Sequence, residues 1–204
     1  MKKIMIDPAL KAKLPDFEVA VMSFEVEPPE PSDESLQEEM ADLGNAIKTS
    51  HSLESLLQEP RIKAARDSYK ALGKDPSRYR LATEALLRRL IKGSGLYQIN
   101  NLVDMGNILS VNTRRSIGTN EAYEGIGRGA INIENIPVYV DDIGPFGTPT
   151  SDTDRTRITD KTTQVLLFII SFDGEAGLHE DVRLAIDYYT RYANASNFTF
   201  ETAD

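Results

Sequence analysis

Residues 17–26 read FEVAVMSFEV and are rich in amino acids that favour β-strands. Apolar side chains fall on both faces of this stretch, a pattern typical of a strand buried within a sheet. Residues 165–172, VLLFIISF, form a second apolar run and predict another strand. Its uninterrupted core, residues 165–170, is too short to span a bilayer. The two stretches predict a modest sheet at the centre of the fold.

Amphipathic stretches lie between and after these runs, with apolar residues spaced by three or four and with capping residues at their starts. They predict helices that begin after Ser32 or Asp33, at Pro60, near Thr83, at Asn100 or Asn101, and at Leu178. Short strands are predicted at residues 116–118, 129–134, 137–142 and 198–200, with a long polar loop over 144–160. The sequence therefore predicts one α+β or mixed α/β domain over residues 1–204, with a central mixed sheet flanked by helices.

The net charge of −9 is unevenly distributed. Residues 16–60 hold twelve acidic residues and one lysine, Lys48. Residues 61–92 hold ten basic residues against three acidic ones, a local charge of +7. The acidity of the whole chain argues against strong non-specific nucleic-acid binding, whereas the basic stretch leaves room for a local contact with phosphates. Such charge runs are also typical of solvated helix faces.

Several chemistries are disfavoured by composition. The chain has no cysteine, which excludes thiol catalysis and agrees with a reducing compartment. His51 and His179 are the only histidines, and neither has a second ligand at metal-binding spacing. The G-I-G-R-G run at 125–129 favours a turn over a phosphate-binding loop. With no signal-like apolar segment at the start, we expect a cytoplasmic protein that needs no metal, cofactor or membrane.

Side-chain amides, hydroxyls and glycines concentrate between residues 100 and 163. Groups of this kind can bind a polar small molecule through hydrogen bonds. They also cap helices and form turns throughout proteins, and composition alone does not separate the two interpretations.

Three blocks in this region resemble the beta chain of bacterial phenylalanyl-tRNA synthetase. The first is INNLVDMGNILSVNTRRSIGTNE (99–121), the second is DDIGP (141–145), and the third is RTRITDKTTQVLLF (155–168). They resemble the I-N-x-x-V-D-x-x-N, D-D-x-G-P and S-x-V-T-x-x-T-x-x-V-L-L segments of its B3/B4 domain. The resemblance implies a free-standing B3/B4-type domain, with a strand and helical section over 1–80 and the B3/B4 core over 81–204.

In that family the B3/B4 domain hydrolyses tyrosine wrongly attached to the phenylalanine tRNA. The resemblance implies an aminoacyl-ester pocket in which Gly118 replaces the family histidine and Arg114 replaces a family glycine. The acidic residue that recognises the tyrosine hydroxyl falls at or near Asp154. Because the chain has no synthetase catalytic motif, it is not expected to aminoacylate tRNA.

The candidate residues follow from this alignment. Arg155 and Thr156 are candidates for positioning the hydrolytic water, and Arg88, Arg89 and Lys92 for contacting tRNA. The candidate substrate-binding residues are Asn100, Asn107, Gly118, Thr119 and Asp154. An ester activated by attachment to tRNA needs only positioned water and oxyanion donors, so the missing imidazole does not exclude hydrolysis.

Three functions are compatible with the sequence. The first is hydrolysis of a misacylated tRNA, the second is RNA or tRNA binding without catalysis, and the third is binding of an amino-acid-like small molecule. The expected partners are accordingly tRNA and an aminoacyl or amino-acid ligand.

Overall fold

The computed structural model describes residues 5–121, 136–150 and 153–203. Its centre is a pair of strands, β1 (Glu18–Glu25) and β5 (Gln164–Ser171), which pair over eight consecutive residues. Both are almost wholly buried, because each has apolar side chains on both faces. The two apolar runs of the sequence are therefore the two central strands, as predicted.

A four-stranded sheet is built around this pair. The strand order is β2-β5-β1-β6, with β2 at Ser116–Glu121 and β6 at Ser196–Thr202 forming the edges. The predicted edge strand at 198–200 is thus confirmed within β6. The α+β class is also confirmed.

All pairings within this sheet are antiparallel, so the expectation of a mixed sheet is wrong in this respect. The antiparallel pairing follows from how the connections between the strands cross the sheet. Strands β1 and β2 run in the same direction but are separated by β5, and β5 and β6 run in the same direction but are separated by β1. Each helical crossover therefore skips one strand, and no two parallel strands become neighbours.

One face of the sheet is covered by α6 (Asn101–Thr113) and α7 (Leu178–Ala193). The side chains of Met22 and Leu167 point towards these helices and are fully buried there. The helix α2 (Glu34–Ser50) extends this layer through Leu36 and Met40.

The other face packs against α1 (Pro8–Lys13), α4 (Pro60–Ala71) and a short hairpin. The hairpin joins β3 (Tyr139–Val140) to β4 (Pro145–Gly147). A third apolar cluster links α3 (Leu53–Leu56) and α5 (Ala82–Ile91) to α2 and α4. The site discussed below lies where the hairpin meets this second face.

The predicted helices begin where expected, and two of them have a predicted side-chain cap. Asp33 caps α2 by accepting from the Leu36 amide, and Asn100 caps α6 by accepting from the Val103 amide. Two short helices, α1 and α3, were not predicted. The region predicted as a loop over 144–160 contains β4 and a 3-10 turn at Asp154–Thr156. The predicted strand at 129–134 and the G-I-G-R-G turn lie outside the described residues.

A buried arginine joins the ends of three elements. Arg115, immediately before β2, donates from Nε to Asp181 at the start of α7 (2.7 Å) and from Nη1 to Asp173 just after β5 (2.6 Å). It also donates to the Ser171 hydroxyl and to the Ala176 carbonyl oxygen. Its side chain is 1% exposed, so this network fixes how β2 enters the sheet.

Replacing Arg115 with Met should lower the free energy of unfolding by about 3 kcal/mol or more, because Asp181 loses its closest buried cation. Urea denaturation would measure the change. The matched control is Arg183→Met, whose ion pair with Glu180 is exposed and 3.9 Å long, and which should change stability by less than about 1 kcal/mol. Equal effects of the two substitutions would contradict a structural role for the Arg115 network.

Candidate functional site

Strand β2 divides its side chains between the two faces of the sheet. Ser116, Gly118 and Asn120 lie opposite Ile170, Phe168 and Leu166 of β5, on the face that meets the hairpin. Ile117 and Thr119 point to the opposite face, towards α6 and α7. The alternation of the strand therefore groups three small or polar residues beside the hairpin.

A hollow of about 60 Å³ lies along this part of β2. Its lining is uncharged and rich in hydroxyl groups, and it has room for a few water molecules. We call it the β2 hollow, and it is lined by Ala82, Ser116, Ile117, Gly118, Thr148, Pro149, Thr150 and Ile170.

Gly118 lines the β2 hollow at a crowded position. A Cβ atom at this position would lie 3.3 Å from Asn120 Nδ2 and 3.6 Å from both the Tyr139 ring and Phe168 Cβ. The Tyr139 ring stacks on Phe168 with centroids 4.6 Å apart and planes 5° apart, and Phe146 completes an aromatic cluster. Any larger residue at position 118 would press against the Asn120 amide.

Two buried polar atoms on this face have no hydrogen-bond partner among the described residues: Asn120 Nδ2 and Ser116 Oγ. Asn120 is 1% exposed and Ser116 is 2% exposed. Leaving such a group unpaired costs about 1–3 kcal/mol, so native proteins seldom do so without water, an ion or a ligand nearby. These two atoms mark the face beside Gly118 as a place where a polar ligand can bind.

Thr156 sets the orientation of the Asn120 amide. Its hydroxyl donates to Asn120 Oδ1 (2.9 Å), and the residue is buried at the end of the 3-10 turn. With its oxygen occupied, Asn120 presents its NH2 group as a donor. Thr156 was predicted as a candidate for positioning water. It lies beside the site, but its hydroxyl donates to Asn120.

Arg155 contacts the hairpin and not the β2 hollow. It donates from Nη1 to both Asp141 oxygens (2.9 and 2.7 Å) and from Nη2 to the Gly144 carbonyl oxygen (2.8 Å). This hydrogen bond also holds the pKa of Asp141 below its usual value. Its guanidinium group is committed to the turn between β3 and β4, so it is not placed to hold water in the hollow.

Asp154 points away from the hollow, contrary to the expectation for a buried acceptor. Its side chain is 67% exposed, and its nearest charged partner is Arg157 at 3.7 Å. In the short 3-10 turn, Thr156 faces inward and Asp154, two residues earlier, faces solvent. This geometry does not support recognition of a ligand hydroxyl by Asp154.

Of the five predicted substrate-binding residues, Gly118 alone lines the β2 hollow. Thr119 lies on the opposite face, 3.2 Å from the Tyr189 hydroxyl, and Asn100 caps α6. Asn107 is half-buried on α6 and does not line the hollow. Residues predicted as one site are thus distributed over two faces of the sheet.

The predicted tRNA-binding residues have different environments. Arg88 donates to the fully buried carboxylate of Glu84 (2.7 Å), which also accepts from Arg66 (2.9 Å). Arg89 donates to the Gly95 carbonyl oxygen (2.6 Å). Lys92 is exposed and is the most accessible of the three predicted contacts.

Sequence reasoning missed three hydroxyl-bearing residues that line the hollow, Ser116, Thr148 and Thr150, and also Asn120, which lies beside Gly118 on the same face of β2. The period of two along β2 was a usable signal, because Ser116 and Asn120 must share a face with Gly118. Thr148 and Thr150 carried no such signal, since they come from the hairpin side. Thr150 also hydrogen-bonds the Tyr69 hydroxyl (2.8 Å), and burial raises the pKa of Tyr69 to about 12.

Within residues 5–121, 136–150 and 153–203, no group of three or more His, Asp or Glu side chains is placed to hold a metal ion. No helix of these same ranges has both the length and the apolar character that crossing a bilayer requires. Comparison with protein-family models and with curated protein sequences gives no match to this chain.

Replacing Thr156 with Val should lower the free energy of unfolding by about 1–3 kcal/mol, because Asn120 Oδ1 is then buried without a donor. Chemical denaturation would measure the loss. Thr49→Val is the control, since Thr49 is exposed on α2 and donates only to the Asn45 carbonyl oxygen of its own helix. A loss at Thr156 no greater than that at Thr49 would argue against this role.

Proposed function

We propose that this chain hydrolyses a misacylated tRNA in the cytoplasm, with the aminoacyl ester bound beside the β2 hollow. The observation that carries the proposal is a pair of buried groups beside Gly118, Asn120 Nδ2 and Ser116 Oγ, that have no hydrogen-bond partner among the described residues. The resemblance of residues 99–121, 141–145 and 155–168 to the B3/B4 editing domain supplies the substrate class.

The chemistry assigns a different task to each group. Asn120 Nδ2 donates to the ester carbonyl oxygen, and its donation strengthens as negative charge develops on that oxygen. Ser116 Oγ holds the attacking water in the hollow. Water adds to the carbonyl carbon, and the bond to the tRNA ribose oxygen breaks as that oxygen takes up the proton that the water releases, which leaves a free amino acid and the tRNA hydroxyl. A neutral site suffices because positioning removes much of the barrier for an activated ester.

The volume of the hollow limits how the substrate enters. About 60 Å³ accommodates water but not a whole aminoacyl group. Binding therefore requires the Tyr139 ring, which rests on Phe168 above Gly118, to move aside. The aminoacyl side chain then occupies the aromatic surface that Tyr139 vacates.

Binding of a small amino-acid-like ligand without tRNA is a second candidate. The positions of Arg88 and Arg89 favour it, because their guanidinium groups already bond to the buried Glu84 carboxylate and to the Gly95 carbonyl oxygen. The net charge of −9 also favours binding of a small ligand without tRNA.

The central test is deacylation. The full-length chain is incubated with tyrosyl-tRNA of phenylalanine identity and with a panel of other mischarged tRNAs. Asn120→Ala should lower the rate by about 100-fold or more, the usual effect of removing one oxyanion donor. Ser110→Ala is the control, since this buried serine donates to the Gly106 carbonyl oxygen within α6 and should keep full activity.

If no mischarged tRNA is hydrolysed above the buffer rate, the editing function is refuted. Thermal shift with free tyrosine, phenylalanine and related amino acids then tests the second candidate, because a ligand that binds only the folded state must raise the Tm. An absent shift would refute that candidate as well.

Binding to tRNA should weaken as salt rises, because each phosphate contact releases counterions. Lys92→Ala should reduce the slope of log affinity against log salt by about one contact, whereas Lys13→Ala, on exposed α1, should leave it unchanged. Filter binding from about 50 mM salt upward would measure both slopes. No binding at the lowest salt would refute any tRNA contact.

A further inference from the structure

A second concave site lies in the helical layer. It is a groove of about 250 Å³ between α2, the end of α5 and the segment 93–98. Its apolar side is formed by Met40, Leu90 and Leu96, of which the first two are buried. It shares no lining residue with the β2 hollow. We call it the α2–α5 groove.

One wall of this groove is held in place by Arg89. The guanidinium group donates from Nε to the Gly95 carbonyl oxygen (2.6 Å) and from Nη2 to the Ser94 carbonyl oxygen (3.3 Å). It also lies 3.9 Å from the centre of the Tyr97 ring. Gly93 and Gly95 have φ values of 80° and 69°, a conformation that favours glycine. The wall is therefore formed before any ligand arrives, which reduces the cost of binding.

Lys48 supplies the positive charge of the groove. It is the one basic residue in the acidic stretch 16–60. Its Nζ lies 3.1 Å from where a Cβ of Gly93 would be, so the ammonium group lies against the groove wall. Among the described residues, the lysines that form an ion pair with Asp or Glu are Lys11, Lys63 and Lys70, and Lys48 is not one of them. The amide side chains of Asn45 and Gln98 line the same groove.

We propose that the α2–α5 groove binds a small molecule with an apolar body and one carboxylate. The apolar body packs chiefly on Leu96, with the buried Met40 and Leu90 behind it, and the carboxylate pairs with Lys48 and accepts from the neighbouring amides. A phosphate dianion fits less well, because it would bring two negative charges, and not one, to the partial negative charge of the carbonyl end of α5, which borders the groove near Gly93. A single lysine balances one negative charge and not two.

The probe for this site is 3-phenylpropionate, compared with the uncharged 3-phenylpropionamide and with inorganic phosphate. Amide chemical shifts of the full-length chain are followed by NMR during each titration. The carboxylate should shift the amides of Gly44, Gly93 and Gly95 with saturation. The uncharged analogue should bind about fivefold more weakly, the effect of one partly solvated ion pair. Phosphate should not shift these amides.

Two variants separate the roles of charge and shape. Lys48→Gln should weaken carboxylate binding by about fivefold and leave binding of the uncharged analogue unchanged. Ala41→Phe adds bulk at an exposed lining position of α2 and should abolish binding of both compounds. The matched control is Lys92→Gln, an exposed lysine that is near the same loop but does not line the groove.

The proposal is overturned if the carboxylate and the amide bind equally, if Lys92→Gln weakens binding as much as Lys48→Gln, or if millimolar 3-phenylpropionate gives no saturable shift at the three glycines. Because the readout is confined to the groove, its result is independent of the deacylation assay at the β2 hollow.

Discussion

The pairing of β5 with β1 on one side and β2 on the other is the constraint on which the rest of the structure depends. Both faces of β5 are buried, so one face must be covered by α6 and α7 and the other by α4 and the hairpin. This two-sided burial removes a large apolar area from water and orders every neighbouring layer. It also fixes the register of β2, whose residues pair one by one with those of β5.

The candidate site follows from that register. A shift of one residue would turn Ser116, Gly118 and Asn120 towards α6 and bring Thr119 to the hairpin face. The Arg115 network prevents such a shift, because it ties the first turn of α7 and the end of β5 to the start of β2. Stability and site geometry are therefore coupled through one buried guanidinium group. The aromatic stack of Tyr139 on Phe168 then closes the space above Gly118.

The basic stretch 61–92 shows how charge in a sequence differs from charge on a surface. Its arginines are partly turned inward: Arg66 and Arg88 surround the buried carboxylate of Glu84, and Arg61 bonds to Asp181 and to the Thr113 carbonyl oxygen. These groups hold α4 and α5 in the fold. The formal charge of +7 is therefore larger than the charge available to a partner.

The sequence by itself determined the two central strands, the main helix starts and the α+β class, because these depend on local apolar spacing and on capping. Asp33 and Asn100 cap the helices that they were predicted to cap. Only the tertiary structure decided which polar residues meet. Asp154 and Thr156 are two residues apart yet face solvent and core, and Gly118 and Thr119 are adjacent yet lie on opposite faces. Nearness in sequence says little about convergence in space, since each residue's direction is set by the strand or turn that carries it.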